Sequence, residues 1–311
     1  MIAIIPFLVA VGIAAGPVLS HYREGAARRW AGAVLLGGLM LAAEFAVSRQ
    51  TGVMRMSCLC LVLLAGMKGL VYAEWAQGRR LPMSRYLVFA LLWFGMDPGS
   101  FQTRRKGLEW RGDLRMGLAM MLLGTVGAWW VWKMEWRQVL VMFVPLSLGF
   151  HFGALRVLKA ALRAAGFPVR TLFPNVLEAR GLADFWSRRW NTGYSQMMQR
   201  LVGKPVARGF GDDAGLMAVF LGSGLLHELA ITLPVRAGYG LPTLYFLIHG
   251  LLTLMERRMR FSFGKIPALL AVGLPLGMLF PEAFQSEVIE PCLEVLGWID
   301  AAVRKMVLTG S

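Results

Sequence analysis

Long apolar runs decide what this chain can fold into. Stretches at about 2–20, 30–47, 53–75, 114–132, 137–158, 214–233, 240–256 and 266–281 each approach the ~20 residues that carry a helix across a ~30 Å hydrocarbon core. Charged residues make up only 16% of the 311 and hydrophobic ones 57%, with a mean hydropathy of +0.56. A soluble domain of this size rarely has such a balance. The fold class expected is an all-α polytopic membrane protein with about eight or nine transmembrane helices. No repeat or low-complexity stretch divides it, so residues 1–311 are read as a single membrane-embedded domain. The opening MIAIIPFLVAVGIAAGPVLS lacks the basic region of a signal peptide and is read as a retained first span. The piece SRYLVFALLWFGM (84–96) is short for a crossing. It is expected to be re-entrant or tilted and to end where Asp97-Pro98-Gly99 breaks the helix.

The net charge of +15 is read as the excess of Lys and Arg in cytoplasmic loops, and no nucleic-acid partner is expected. With the N-terminus outside and 84–96 not crossing, most basic residues fall on one side. They include Arg23, Arg28 and Arg29, and the dense group from Arg156 to Arg208. Arg49, Arg55, Lys133, Arg137 and Arg236 fall on the other, while Arg304 and Lys305 lie near the C-terminus. The long loop 159–213 is then cytoplasmic. Within it, DFWSRRWNTGYSQMMQRL (184–201) has helical periodicity. Trp186, Trp190, Met197 and Leu201 share one face; Asp184, Arg188, Asn191 and Ser195 share another. Such a helix is expected to lie in the membrane interface, against lipid headgroups.

Polar groups inside the spans point to function. GSGLLHELAITLP (222–234) places Ser223 and His227 on one helix face, with glycines that admit a close neighbour. Glu228 lies about 100° round the helix from His227, so the two do not form a dyad. Glu228 is expected to fix a neighbouring helix or loop while His227 faces a separate cavity. A metal site of the HEXXH kind needs a second histidine at position 231, which is Ile231, and no metal is expected. Burial in a dry cavity keeps an imidazole neutral near pH 7, which suits a general base. His151 and His249 are weaker candidates for a functional role. Cys58, Cys60 and Cys292 read as small apolar fillers.

DFWSRRWN and SGLLHEL, about thirty-five residues apart, together resemble the membrane-bound O-acyltransferase superfamily. The likeness is to its wax synthase-like branch of long-chain-alcohol O-fatty-acyltransferases. It covers about 184–255, and FGMDPGSF (94–101) is similar to a segment of bacterial members. The resemblance implies tilted helices and interfacial helices around a through-membrane tunnel. It implies His227 as general base and Asn191 positioning substrate or catalyst. Acyl-CoA would be the cosubstrate, with no further cofactor, and a lipophilic alcohol the acceptor. Trp186, Trp190 and Ser223 are expected near substrate. Arg188, Arg189, Glu228 and His249 are further expected contacts of substrate or CoA, and Lys204 lies on the side where CoA phosphates would be. Position 187 is Ser where plant members favour Gly, a difference expected to affect local packing. A bacterial inner membrane is the expected location. A transporter or lipid-binding protein using the same polar residues is the alternative.

Overall fold

Helix is the only regular secondary structure among the described residues, which in this computed structural model are 2–22, 24–136 and 138–298. Arg23, Arg137, Arg304 and Lys305, used in the charge balance, lie outside them. α1 (Ile2–Leu19), α2 (Gly25–Val47) and α3 (Gly52–Trp75) form one bundle. α1 meets α3 through Gly12 and Gly16 against Gly66 and Gly69, the small-residue contact that lets membrane helices approach. α4 (Met83–Leu92) is only ten residues, about 15 Å at 1.5 Å per residue, and does not cross. Two carbonyls at and beyond its end, Phe89 O and Gly95 O, accept hydrogen bonds from Lys68 Nζ of α3 at 3.0 and 2.6 Å. A fully buried lysine thus satisfies carbonyls that the helix end leaves open. Asp97 then turns the chain, accepting from the Gly99 N–H at 3.0 Å and the Ser100 hydroxyl at 2.9 Å.

α5 (Arg111–Lys133) and α6 (Val139–Ala164) form an antiparallel pair. α7 (182–189) and α8 (192–210) carry the tryptophan-rich segment. α9 (Asp212–Val235) packs on α10 (Leu241–Met259). α11 (Lys265–Leu279) and α12 (Glu282–Trp298) meet at a 78° bend.

The chain is an integral multi-pass membrane protein of the all-α class expected. Among the described residues six helices are long and apolar enough to cross, or seven with α11 and α12 taken as one broken span. The expected span 240–256 is α10, which runs antiparallel along α9; its last turn carries Glu256, Arg257 and Arg258, and Arg258 meets Asp213 at the start of α9 at 2.7 Å. Two carboxylates near span ends each hold two arginines. Glu74 holds Arg28 and Arg29 at 2.9 and 3.3 Å. Glu44 holds Arg55 and Arg236 at 2.5 and 2.9 Å. Arg55 and Arg236, assigned to one side by charge, therefore meet at one end of the bundle.

Candidate active site

Extended and left-handed backbone, not continuous helix, shapes the tryptophan-rich segment. α7 ends in a π turn, Phe185–Arg189; Trp190 is extended and Asn191 takes a left-handed conformation at φ +42°, ψ +61°. The single amphipathic helix expected over 184–201 is therefore two helices meeting at Asn191. Asparagine tolerates this conformation because its short polar side chain bonds locally. Here its Oδ1 accepts from the Tyr194 N–H at 3.2 Å, capping α8. The Thr192 N–H reaches back to Leu172 O at 2.9 Å. Gly193 lets α8 start against the 93–96 strand-like link, since a Cβ there would sit 3.0 Å from Gly95 Cα. Ser195 Oγ donates to Trp186 O at 2.7 Å, closing the joint.

The break folds both expected faces toward one place. Trp186, Trp190, Asn191 and Ser195 all line a cavity of about 1060 Å³ between α3, α7, α8, α9 and α10. This volume is at the upper end of small-ligand sites. Ser223 and His227 are on the same wall. His227 Nδ1 lies 2.7 Å from Ser223 O. A carbonyl only accepts, so the ring proton is on Nδ1 and Nε2 carries the free lone pair. The imidazole packs on Phe246 at 4.4 Å and lies edge-on to Tyr194 at 6.1 Å between ring centroids.

Glu228 turns away from His227. Its Oε1 accepts from the Gly240 and Thr243 N–H groups, each at 3.0 Å, and from the Thr243 hydroxyl at 2.8 Å. Its Oε2 accepts from Thr232 Oγ1 at 2.5 Å. The carboxylate thus caps the start of α10, where the helix dipole favours it. Gly224 makes the same contact possible, for a Cβ there would lie 2.7 Å from Thr243 Cα.

Other expected contacts are off the wall. Glu228 is occupied as described. His249 is fully buried behind Trp186, its Nδ1 and Nε2 facing Tyr245 O and Ala271 O at 2.8 and 3.2 Å. Arg188 is exposed away from the cavity. Arg189 is taken up by Asp184 and by Asn175 O, both at 2.9 Å. Burial pushes the Asp184 carboxyl up, but the Arg180 N–H and the Arg189 guanidinium outweigh it and hold it below the usual carboxylate range. His151 sits behind Trp190, its Nδ1 3.0 Å from Ser147 Oγ. Ser187 lines the cavity, and its hydroxyl donates to Ala183 O one turn back. Cys60 is also on the wall, Cys58 is buried, and Cys292 is exposed rather than a core filler.

Sequence reasoning missed Tyr194, Arg200, Thr253 and Arg257, all on the wall with the expected Lys204. It also missed Glu256, which accepts from the N–H groups of Leu182, Ala183 and Phe263 at 3.2, 2.8 and 2.9 Å. That carboxylate docks the start of α7 on the end of α10. Leu61, Phe94 and Phe150 line the cavity and are large exposed apolar side chains.

Fold and chamber define a polytopic helical membrane protein built around an intramembrane histidine. The profile of the family described as "Membrane bound O-acyl transferase family" matches residues 169–248, which include Asn191 and His227. Curated relatives carry the same likeness. Probable long-chain-alcohol O-fatty-acyltransferase 1 of Arabidopsis thaliana is 36% identical over 39% of this chain and 40% of the relative. Probable long-chain-alcohol O-fatty-acyltransferase 2 of the same plant is 31% identical over 46% and 47%. Putative long-chain-alcohol O-fatty-acyltransferase 10 is 27% identical over 67% and 66%. The chain spans less than half the length of the first two relatives it matches. The resemblance to the wax synthase-like branch is borne out, and these plant relatives lend no support to a bacterial inner membrane.

Proposed function

We propose that the chain is an O-acyltransferase moving a fatty acyl group from acyl-CoA to the hydroxyl of a lipophilic alcohol within the membrane. The observation that carries this reading is His227, whose Nδ1–H is committed to Ser223 O so that Nε2 faces its work as a base. The alcohol's proton passes to Nε2 as its oxygen attacks the thioester carbonyl. Arg200, Lys204 and Arg257 gather basic groups on the same cavity, suited to the phosphates of acyl-CoA. The names of the relatives support a long-chain alcohol as acceptor. No further cofactor is required by this chemistry. Loop 159–213 is assigned to the cytoplasmic side, where acyl-CoA is supplied, and 1–311 to one catalytic domain.

Thiol release from palmitoyl-CoA, followed in detergent with a panel of alcohols, tests the reading. Release is expected to need both an alcohol and His227, with His227→Ala losing about 10²-fold or more. Equal release by variant and wild type removes His227 as the base. No alcohol-dependent release by the wild type across the panel removes the acyltransferase reading itself.

A further inference from the structure

Four residues of the chamber wall each carry a buried polar atom with no hydrogen-bond partner among the described residues: Trp186 Nε1, Tyr194 OH, Arg200 Nη1 and Thr253 Oγ1. Buried polar groups are nearly always paired, so such a group on a cavity wall points to a ligand. Tyr194 is the orphan whose ring faces the imidazole of His227, edge-on at 6.1 Å. Ser223 lies beside its hydroxyl; with the Ser223 proton committed to Val219 O at 2.8 Å, the phenol is the donor of the pair, and a substrate carbonyl takes the place of Ser223 Oγ as its acceptor. Trp186 instead packs on Phe246 and His249. Thr253 is about two helical turns beyond Phe246, the residue that touches the imidazole. The Tyr194 backbone is held by Asn191, whose Oδ1 accepts its N–H.

We propose that Tyr194 is the catalytic hydrogen-bond donor to the acyl carbonyl oxygen, held opposite His227 by the Asn191 cap. The proposal rests on the acyltransferase reading and names a group within it. His227 Nε2 takes the alcohol proton while the alcohol oxygen bonds to the carbonyl carbon. The C=O π pair moves onto oxygen, where the Tyr194 O–H receives it. The pair then re-forms the carbonyl and the C–S bond breaks. The departing thiolate takes the proton back from His227, leaving ester and free thiol. A preorganised donor in a water-poor chamber acts where charge develops and needs no reorganisation. Asn191 is then, in this step, a positioning residue for the phenol.

Tyr194→Phe keeps the ring and removes only the donor. With palmitoyl-CoA and a long-chain alcohol, kcat is expected to fall about 10²–10³-fold with KM for both substrates nearly unchanged. The infrared carbonyl stretch of bound palmitoyl-CoA, labelled with ¹³C at the carbonyl and measured without alcohol, is expected at lower frequency in wild type than in the variant. An unchanged kcat, a loss confined to KM, or one carbonyl frequency in both proteins overturns the proposal. Absence of alcohol-dependent turnover in the wild type overturns the acyltransferase reading and this one together. Wild-type turnover that Tyr194→Phe leaves intact overturns this one alone.

Discussion

At φ +42° Asn191 stands where most side chains cost about 1–2 kcal/mol. Its amide meets that cost locally, with Oδ1 capping α8 and the residue on the chamber wall. Two functions are thus carried by one side chain and can be separated. Asn191→Ala is expected to lower stability by about 0.5–2 kcal/mol through loss of the cap, and to lower turnover as well. Asn191→Asp keeps an acceptor oxygen, so it should recover the stability while still lacking the NH₂ group. Thermal midpoints in detergent and ester formation, measured on both variants, check this. An Asp variant as unstable as Ala would mean that the cap is not what holds the joint. His227 and Glu228 were legible as residues because an ionisable group in a span needs a partner or a purpose. Their 100° separation already assigned them to different neighbours.

The elements were less legible where periodicity is interrupted. A 3.6-residue count across 184–201 puts Trp186 and Asn191 on different faces. The extended Trp190 and left-handed Asn191 bring them onto one wall. π turns add to the displacement: Phe150, Trp186 and Arg200 each lie in one, and His227 immediately precedes another. An extra residue in a turn rotates everything beyond it, so a face read from spacing alone is lost. Tyr194 and Arg200 were missed for this reason. Glu256 was missed because its partners are backbone N–H groups, two of them 74 and 73 residues away in sequence, which leave no side-chain signature. Its loss is predicted to be felt at the chamber. Glu256→Ala strands three N–H groups, two of them at the start of α7, and should cost at least about 2 kcal/mol. Glu256→Gln keeps one acceptor and should cost less. Limited proteolysis of the 182–191 region provides the check, and equal protection in wild type and the Ala variant would contradict the docking role.

Across the whole molecule, hydropathy identified the membrane class and the long apolar helices, but it gave no sign that α11 and α12 bend by 78°. The chamber itself left no linear trace: six helices from residue 57 to residue 257 contribute to it. One of its features has a kinetic outcome. Leu61, Phe94 and Phe150 belong both to the chamber wall and to the exposed apolar side chains of this membrane protein, which suits a lateral entrance from lipid. An apolar acceptor arriving across such side chains is sampled from a two-dimensional phase, so its effective concentration is a mole fraction. In mixed micelles at constant total alcohol, added detergent should slow ester formation by dilution within the surface, with bulk concentration unchanged. Rates that track bulk alcohol instead would place the acceptor's entrance in water. On the lateral route, a saturation curve is meaningful only when its abscissa is the composition of the membrane.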